Sequence, residues 1–65
     1  MIRVGYTKTD QTDVLHGEYD NTTLANIAVF ELRDSKSGDG SIDYFYLQTQ
    51  ETDTEWNKYG FVDPT

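Results

Sequence analysis

The chain has 65 residues, of which twelve are acidic and five are Lys or Arg, so its formal net charge is −7 at neutral pH. A chain this short forms a single domain, residues 1–65, with a thin core, because only about 60% of the unfolded surface leaves water on folding. Cysteine is absent, which excludes disulfides and thiolate metal sites. The negative charge argues against direct binding of nucleic acid or of anionic membranes, and it favours a partner with a basic surface.

No segment approaches the roughly 20 apolar residues of a membrane span, and the first residues lack the apolar stretch of a secretory signal. We therefore expect a cytoplasmic protein that does not bind membranes. The sequence indicates no oligomeric state.

The amino-terminal residues predict a β-hairpin. Ile2, Val4 and Tyr6 alternate with polar or small residues, which is the pattern of a strand with one buried face. A polar turn over 7–12 then leads to a second strand over 13–19. These two strands are expected to pair with each other.

Residues 21–36 are compatible with a helix or with a buried strand. At 100° per residue, five apolar side chains fall on one stripe roughly 140° wide, which favours the helix. The stripe consists of Leu24, Ala25, Ala28, Val29 and Leu32. Residues 20–22 offer polar N-caps for this helix. Ile27 and Phe30 fall outside the stripe, and they keep the strand alternative open.

The carboxy-terminal half predicts a second hairpin. Residues 42–50 are rich in aromatic and β-branched types and predict a strand with two apolar faces. Phe45 and Leu47 fall on one face, and Ile42, Tyr44 and Tyr46 fall on the other. Residues 51–54 turn the chain, and 55–62 form a last strand before Pro64.

The order strand, strand, helix, strand, strand predicts an α+β domain. Its architecture would be a small four-stranded antiparallel sheet with one helix on one face, in ββαββ order. The alternative is an all-β protein, a five-stranded small barrel or sheet. In the first arrangement Tyr44 and Tyr46 lie on the uncovered face of the sheet, whereas in a barrel they belong to the core.

The sequence offers little material for catalysis. An enzyme needs a pocket of about 300 Å³ or more with groups held rigidly around it, and a two-layer domain of this length has few residues to spare. His16 is the only histidine. No nucleophile motif or glycine-rich phosphate loop is present. We predict a protein that is not an enzyme, with no catalytic residue and no cofactor.

Residues 35–44 resemble part of the calcium loop of EF-hand proteins, because Asp39 and Asp43 fall at loop positions five and nine. Calcium binding also requires a carboxylate at position one and a bidentate Glu at position twelve. Ser35 and Tyr46 occupy those positions here. The sequence therefore predicts no metal site.

The acids are concentrated in two segments without Lys or Arg, 9–32 and 37–57. In the second segment Glu51, Asp53 and Glu55 alternate with threonines, and in an extended chain they would project from one face at intervals of about 6.6 Å. Such a row of anions predicts a partial mimic of DNA or RNA, whereas the alternative for the same residues is a solvated hairpin turn. It would occupy the basic surface of a host or cognate protein.

Small acidic chains without enzymatic motifs are typical of viral, especially bacteriophage, antagonists of host nucleic-acid machines, including anti-restriction and anti-CRISPR proteins. Size and charge alone support this expectation. The alternative is an adaptor or assembly subunit that binds through an exposed aromatic patch, since Tyr and Trp are enriched at the centres of protein interfaces. Together the two hypotheses place the contact on six residues, Tyr44, Tyr46, Glu51, Asp53, Glu55 and Trp56.

Overall fold

The computed structural model describes residues 1–64 and contains four strands and one helix. In chain order they are β1 (Ile2–Lys8), β2 (Asp13–Tyr19), α1 (Thr22–Ser35), β3 (Ile42–Gln50) and β4 (Trp56–Val62). The strands form one antiparallel sheet in the order β2-β1-β3-β4. This confirms the predicted ββαββ α+β domain. The five-stranded barrel is wrong, because the sheet is open and residues 22–35 form a helix.

Capping and packing explain why α1 is a helix. The side chain of Asn21 accepts a hydrogen bond from the backbone nitrogen of Leu24 at 2.9 Å, which satisfies one of the free donors of the first turn. Four of the five predicted stripe residues are buried, namely Ala25, Ala28, Val29 and Leu32. Leu24 is half exposed, so its predicted burial is wrong. It lies in the first turn, at the edge of the stripe.

The core lies between α1 and the face of the sheet that the helix covers. Ile2 and Val4 from β1 pack there with Phe45 and Leu47 from β3. The register explains this grouping, because Val4 lies directly opposite Leu47. Each such side chain contributes about 1.5–3 kcal/mol when it is fully buried. Hydrophobic burial on this face is therefore the main source of stability.

A β-bulge in β3 moves one side chain between the faces. Thr7 pairs with Tyr44 and Lys8 with Ile42, so residue 43 has no counterpart on β1. The extra residue turns Ile42 towards the helix, where it is buried in the core. The prediction that Ile42 shares a face with Tyr44 and Tyr46 is wrong, because strict alternation does not anticipate a bulge.

A second bulge lies in β4 at Gly60. Tyr59 pairs with Leu47 and Val62 pairs with Phe45. This stretch of β4 is therefore one residue longer than the stretch of β3 that it pairs with. Gly60 has φ +60°, a left-handed conformation that glycine adopts at little cost. Tyr59 and Val62 consequently both pack against the core. Phe61 lies on the opposite face, beside Tyr44.

Candidate functional site

The face of the sheet that α1 leaves uncovered, called the open face below, receives side chains from all four strands. The register places Arg3, Gly5 and Thr7 of β1 at its middle. Around them lie Asp13, Leu15 and Glu18 from β2, Tyr44, Tyr46 and Gln48 from β3, and Trp56, Lys58 and Phe61 from β4. The open face therefore combines aromatic with charged side chains, whereas the core cluster on the covered face consists of aliphatic side chains and Phe45, with tyrosines packed against it.

Lys58 connects the strands across the open face. Its ammonium group lies 2.9 Å from Oδ2 of Asp13, donates to Oγ1 of Thr7 at 3.2 Å and to the hydroxyl of Tyr44 at 3.4 Å. The hydroxyl of Thr7 in turn donates to Asp13 at 2.6 Å. The ammonium also lies 4.6 Å from the centre of the Tyr46 ring, within cation–π range. Asp13 belongs to β2 and Lys58 to β4, which are the two edge strands. These bonds therefore cross the two central strands, β1 and β3.

The same contacts set the ionisation of the network. The hydrogen bond from Thr7, followed by that from Lys58, lowers the pKa of Asp13 below its ordinary value. Burial disfavours the charge on Lys58, but its hydrogen bonds to Asp13 and Tyr44 together outweigh burial and raise the pKa of Lys58. Burial, aided by the charge of Asp13, raises the pKa of Tyr46. At neutral pH the network therefore pairs the Asp13 carboxylate with the Lys58 ammonium group, beside the neutral phenol of Tyr46.

Tyr46 is only 2% exposed, although no helix covers it. Its ring lies over Gly5, where a Cβ would come within 2.8 Å of the phenol oxygen. Lys58 lies over the ring from β4. Of the predicted contact residues, Tyr46 therefore supports the open face from within and offers almost no surface to a partner.

Trp56 and Tyr44 are partly exposed at different places on the open face. The guanidinium group of Arg3 lies 3.8 Å from the centre of the Trp56 ring and binds Glu18 at 3.0 Å. Tyr44 meets Phe61 edge-on, with the ring centres 5.4 Å apart. Phe61 is 61% exposed, and it is absent from the sequence prediction. Gly60 within a predicted strand is the one sequence signal that could have indicated the bulge behind its position.

Residues 51–55, called the acidic hairpin below, connect β3 to β4. The backbone nitrogen of Glu51 donates to the carbonyl of Glu55 at 2.9 Å, and Oγ1 of Thr52 accepts from the nitrogen of Glu55 at 3.1 Å. These bonds close the segment into a tight loop, which confirms the predicted turn at 51–54, and the extended row of anions is not formed. The side chains of Glu51, Asp53 and Glu55 are all exposed, and within residues 1–64 none of their carboxylates forms a hydrogen bond or salt bridge.

The six predicted contact residues form two groups. The acidic hairpin lies at the end of the sheet where β1 begins, since Ile2 pairs with Thr49, and Trp56 is beside it as the first residue of β4. Tyr44 lies near the other end of β3, about 20 Å away at roughly 3.3 Å per residue. There it contacts Phe61. The structure thus brings the three acids to Trp56 and keeps them apart from Tyr44.

The salt bridges in the folded chain do not follow the order of acidic and basic residues along the sequence. Asp13 and Glu18 belong to the segment without bases, yet they pair with Lys58 and Arg3 from other strands. The third salt bridge joins Arg33 to its neighbour Asp34. Three of the twelve acids are thus paired, and nine have no salt bridge in the described chain. These nine are Asp10, Asp20, Glu31, Asp39, Asp43, Glu51, Asp53, Glu55 and Asp63.

The two ends of the sheet differ in how their acids are compensated. At the end away from the acidic hairpin, hydrogen bonds from Ser41 lower the pKa of Asp39, and the nearby charges of Lys36 and Lys8 lower it further. The acidic hairpin contains no basic residue. Its carboxylates therefore have neither a basic residue within the loop nor a salt bridge among residues 1–64.

Comparison of the chain with protein-family models, with curated proteins and with solved structures finds no match. In the part of the chain that the structure describes, no helix is long and apolar enough to cross a membrane. Function therefore has to be argued from the residues of the site and their chemistry.

Proposed function

We propose that this protein is a small inhibitor that binds a basic surface of a partner protein through the acidic hairpin. The observation that carries the proposal is the loop itself. It holds three exposed carboxylates that have no partner within residues 1–64, on a backbone closed by its own hydrogen bonds. A loop closed in this way loses less conformational entropy on binding than an open one, and its field attracts cationic surfaces over a long range.

An open pocket beside the acidic hairpin strengthens the proposal. It has a volume of about 410 Å³ and lies between the start of β1 and the loop. Its lining consists of Met1, Ile2, Thr49, Gln50, Glu51, Thr52 and Asp53. A Lys or Arg side chain that entered it would meet two carboxylates, and charge-assisted hydrogen bonds are about twice as strong as neutral ones.

The net charge of the protein, compared with that of duplex DNA of the same length, limits how much nucleic acid it could mimic. The molecule is 34 Å along its longest axis, and duplex DNA of that length carries on the order of 20 phosphate charges. A net charge of −7 is about a third of this. The protein would therefore replace one short stretch of nucleic-acid backbone on its target. We infer that the target is a nucleic-acid-processing or defence protein in the cytoplasm of a host, and that the chain is a viral antagonist.

A second candidate function is an adaptor that binds through the aromatic pair Tyr44 and Phe61. Phe61 is the most exposed large apolar side chain among residues 1–64, and its ring is held edge-on against Tyr44. Aromatic side chains of this kind bury large area at an interface. This contact would be far less sensitive to salt than one made by the acidic hairpin.

The test begins with capture of the partner from a lysate of the host and its identification by mass spectrometry. The affinity of the purified pair is then measured by calorimetry. For the acidic hairpin we expect roughly a tenfold or greater loss between about 50 and about 200 mM salt, together with competition by duplex DNA or by RNA.

Matched pairs of neutralised acids locate the contact. Asp53→Asn with Glu55→Gln should weaken binding about tenfold, whereas Asp43→Asn with Asp63→Asn removes the same charge at the other end of the sheet and should change it little. Equal losses from both double variants would show that only net charge matters. Binding that resists salt and added nucleic acid, but is lost in Phe61→Ser, would favour the adaptor.

A further inference from the structure

Three large apolar side chains of α1 remain exposed, of which Ile27 and Phe30 point away from the sheet and Leu24 lies at the edge of the buried stripe. Leu24, Ile27 and Phe30 recur every third residue and are 48%, 53% and 45% exposed. Residues three apart are neighbours on a helix surface, so the three side chains form a continuous row. This row is called the outer ridge below.

The fold does not use the outer ridge. Helix packing against the sheet is carried by other residues of α1, and no member of the ridge belongs to the core cluster. A helix on the surface of a soluble domain normally has a polar outer side. A contiguous exposed row of Leu, Ile and Phe marks an interaction surface.

The charge beside the outer ridge that has no salt bridge in the described structure is acidic. Glu31 follows Phe30 and lies one turn after Ile27; its side chain is exposed and has no salt bridge in the described structure. The one basic side chain next to the ridge is Arg33. Its guanidinium group lies 5.0 Å from the Phe30 ring centre, and its Nε is 3.7 Å from Asp34. The positive charge is therefore already opposed by a neighbouring carboxylate.

We propose that the outer ridge binds a cationic amphipathic helix of a partner protein. The ridge is a single narrow row, so its occupant must also present a narrow apolar stripe. Two helices meet in this way when the ridge of one packs into the groove of the other. Lys or Arg beside the stripe of the incoming helix would meet Glu31.

A second copy of the chain fits this surface poorly. Each copy carries a net charge of −7, so two copies repel each other, and parallel pairing of the two helices would place Glu31 against Glu31. The helix of 14 residues is about 21 Å long, so a partner helix of about four turns spans it. The inference does not depend on the acidic hairpin, because the ridge lies on α1 whereas the hairpin connects β3 to β4.

The probe is a synthetic helical peptide of about four turns with Leu on one face and Lys on the other. It is titrated into the full chain labelled with ¹⁵N, and the backbone amide shifts are mapped by NMR. We expect the shifts to concentrate in residues 22–35. Ile27→Ser should weaken binding about tenfold. Leu15→Ser, a change of an equally exposed apolar residue on the open face, is the matched control and should leave binding unchanged.

The contribution of charge is tested by comparing Glu31→Gln with Asp43→Asn. Only Glu31→Gln should weaken binding of the peptide. The proposal is overturned if a scrambled peptide of the same composition binds equally well, or if the shifts fall on the acidic hairpin or the open face. It is also overturned if sedimentation shows a dimer of the free chain that Ile27→Ser abolishes. Ile27→Ser and Glu31→Gln should both retain the thermal midpoint of the parent chain, because the side chains of Ile27 and Glu31 lie outside the core.

Discussion

The two faces of the sheet are built from alternate residues of the same strands, yet they are stabilised by different interactions. On β1, Ile2 and Val4 point to the helix and lose almost all contact with water, whereas Arg3 and Thr7 point to the open face and bind charged groups. The covered face depends on the apolar area that the helix buries. The open face depends on particular atoms at hydrogen-bond distance.

The two faces therefore differ in how much they contribute to the free energy of folding. Apolar burial is non-directional and is worth about 25 cal/mol per Å², so the covered face can supply most of the free energy of folding. Partly exposed ion pairs contribute about 0–1 kcal/mol each, because water screens them. The network of Lys58 and Asp13 therefore does more to fix the positions of the aromatic rings than to hold the fold together.

The largest expected effect comes from a matched pair of phenylalanines. Phe45 on the covered face is 1% exposed, and Phe45→Ala should lower the free energy of unfolding by about 3–5 kcal/mol. Phe61 on the open face is mostly exposed, and Phe61→Ala should cost under about 1 kcal/mol. Urea denaturation of the two variants measures both values. Similar losses from both would mean that the two faces contribute alike.

A smaller effect is expected where the open face approaches the backbone most closely. A Cβ on Gly5 would lie 2.5 Å from the carbonyl oxygen of Val14, so Gly5→Ala should cost about 1–3 kcal/mol through overpacking. Gly40→Ala is the matched control, since its Cβ would meet no atom within 4 Å. Thermal melts compare the two. An unchanged midpoint for Gly5→Ala would show that Tyr46 does not rest on that glycine.

The smallest effect is the dependence of the ion pair on pH. The folded-state pKa of Asp13 lies below its ordinary value of 3.8, so its contribution is fully present above that value and is lost as the pH falls through the lowered pKa. The pKa of Lys58 is raised above 10.5, so its contribution is present below that value and is lost only as the pH rises through the raised one. Between these limits Asp13→Asn should destabilise the chain by under about 1 kcal/mol.

Denaturation at pH 7 and again below pH 3 measures that difference, which should shrink in acid. Asp43→Asn is the control, since it removes an exposed carboxylate that forms no salt bridge in the described chain. It should stay within about 0.5 kcal/mol of the parent. A destabilisation by Asp13→Asn that persisted unchanged in acid would indicate a loss of packing rather than of charge pairing.

Much of the architecture could be predicted from local patterns. The bounds of β2 and β3 agree with the alternation of residue types, and the apolar stripe of α1 identifies four residues that the helix buries. Alternation also separates Phe45 and Leu47 from Tyr44 and Tyr46. These features depend on residues close in sequence, whose periods of 3.6 and 2 reflect backbone geometry.

The candidate site was harder to predict, because its surfaces depend on strand register. Phe61 reaches the open face only through the bulge at Gly60, and Tyr46 is buried only because Gly5 lies opposite it on β1. The turn predicted at 51–54 is confirmed, and hydrogen bonds among Glu51, Thr52 and Glu55 close it, so the three acids do not form an extended row.

The order of the elements, the stripe that α1 buries and the excess of acids follow from composition and periodicity, which are properties of the chain alone. Which acids remain unpaired depends instead on how the chain folds. Asp13 is neutralised by Lys58, which is 45 positions away, and Glu18 by Arg3, whereas the acidic hairpin has no such partner among residues 1–64. Pairing between distant residues follows from the way the strands align, and no local pattern contains that alignment.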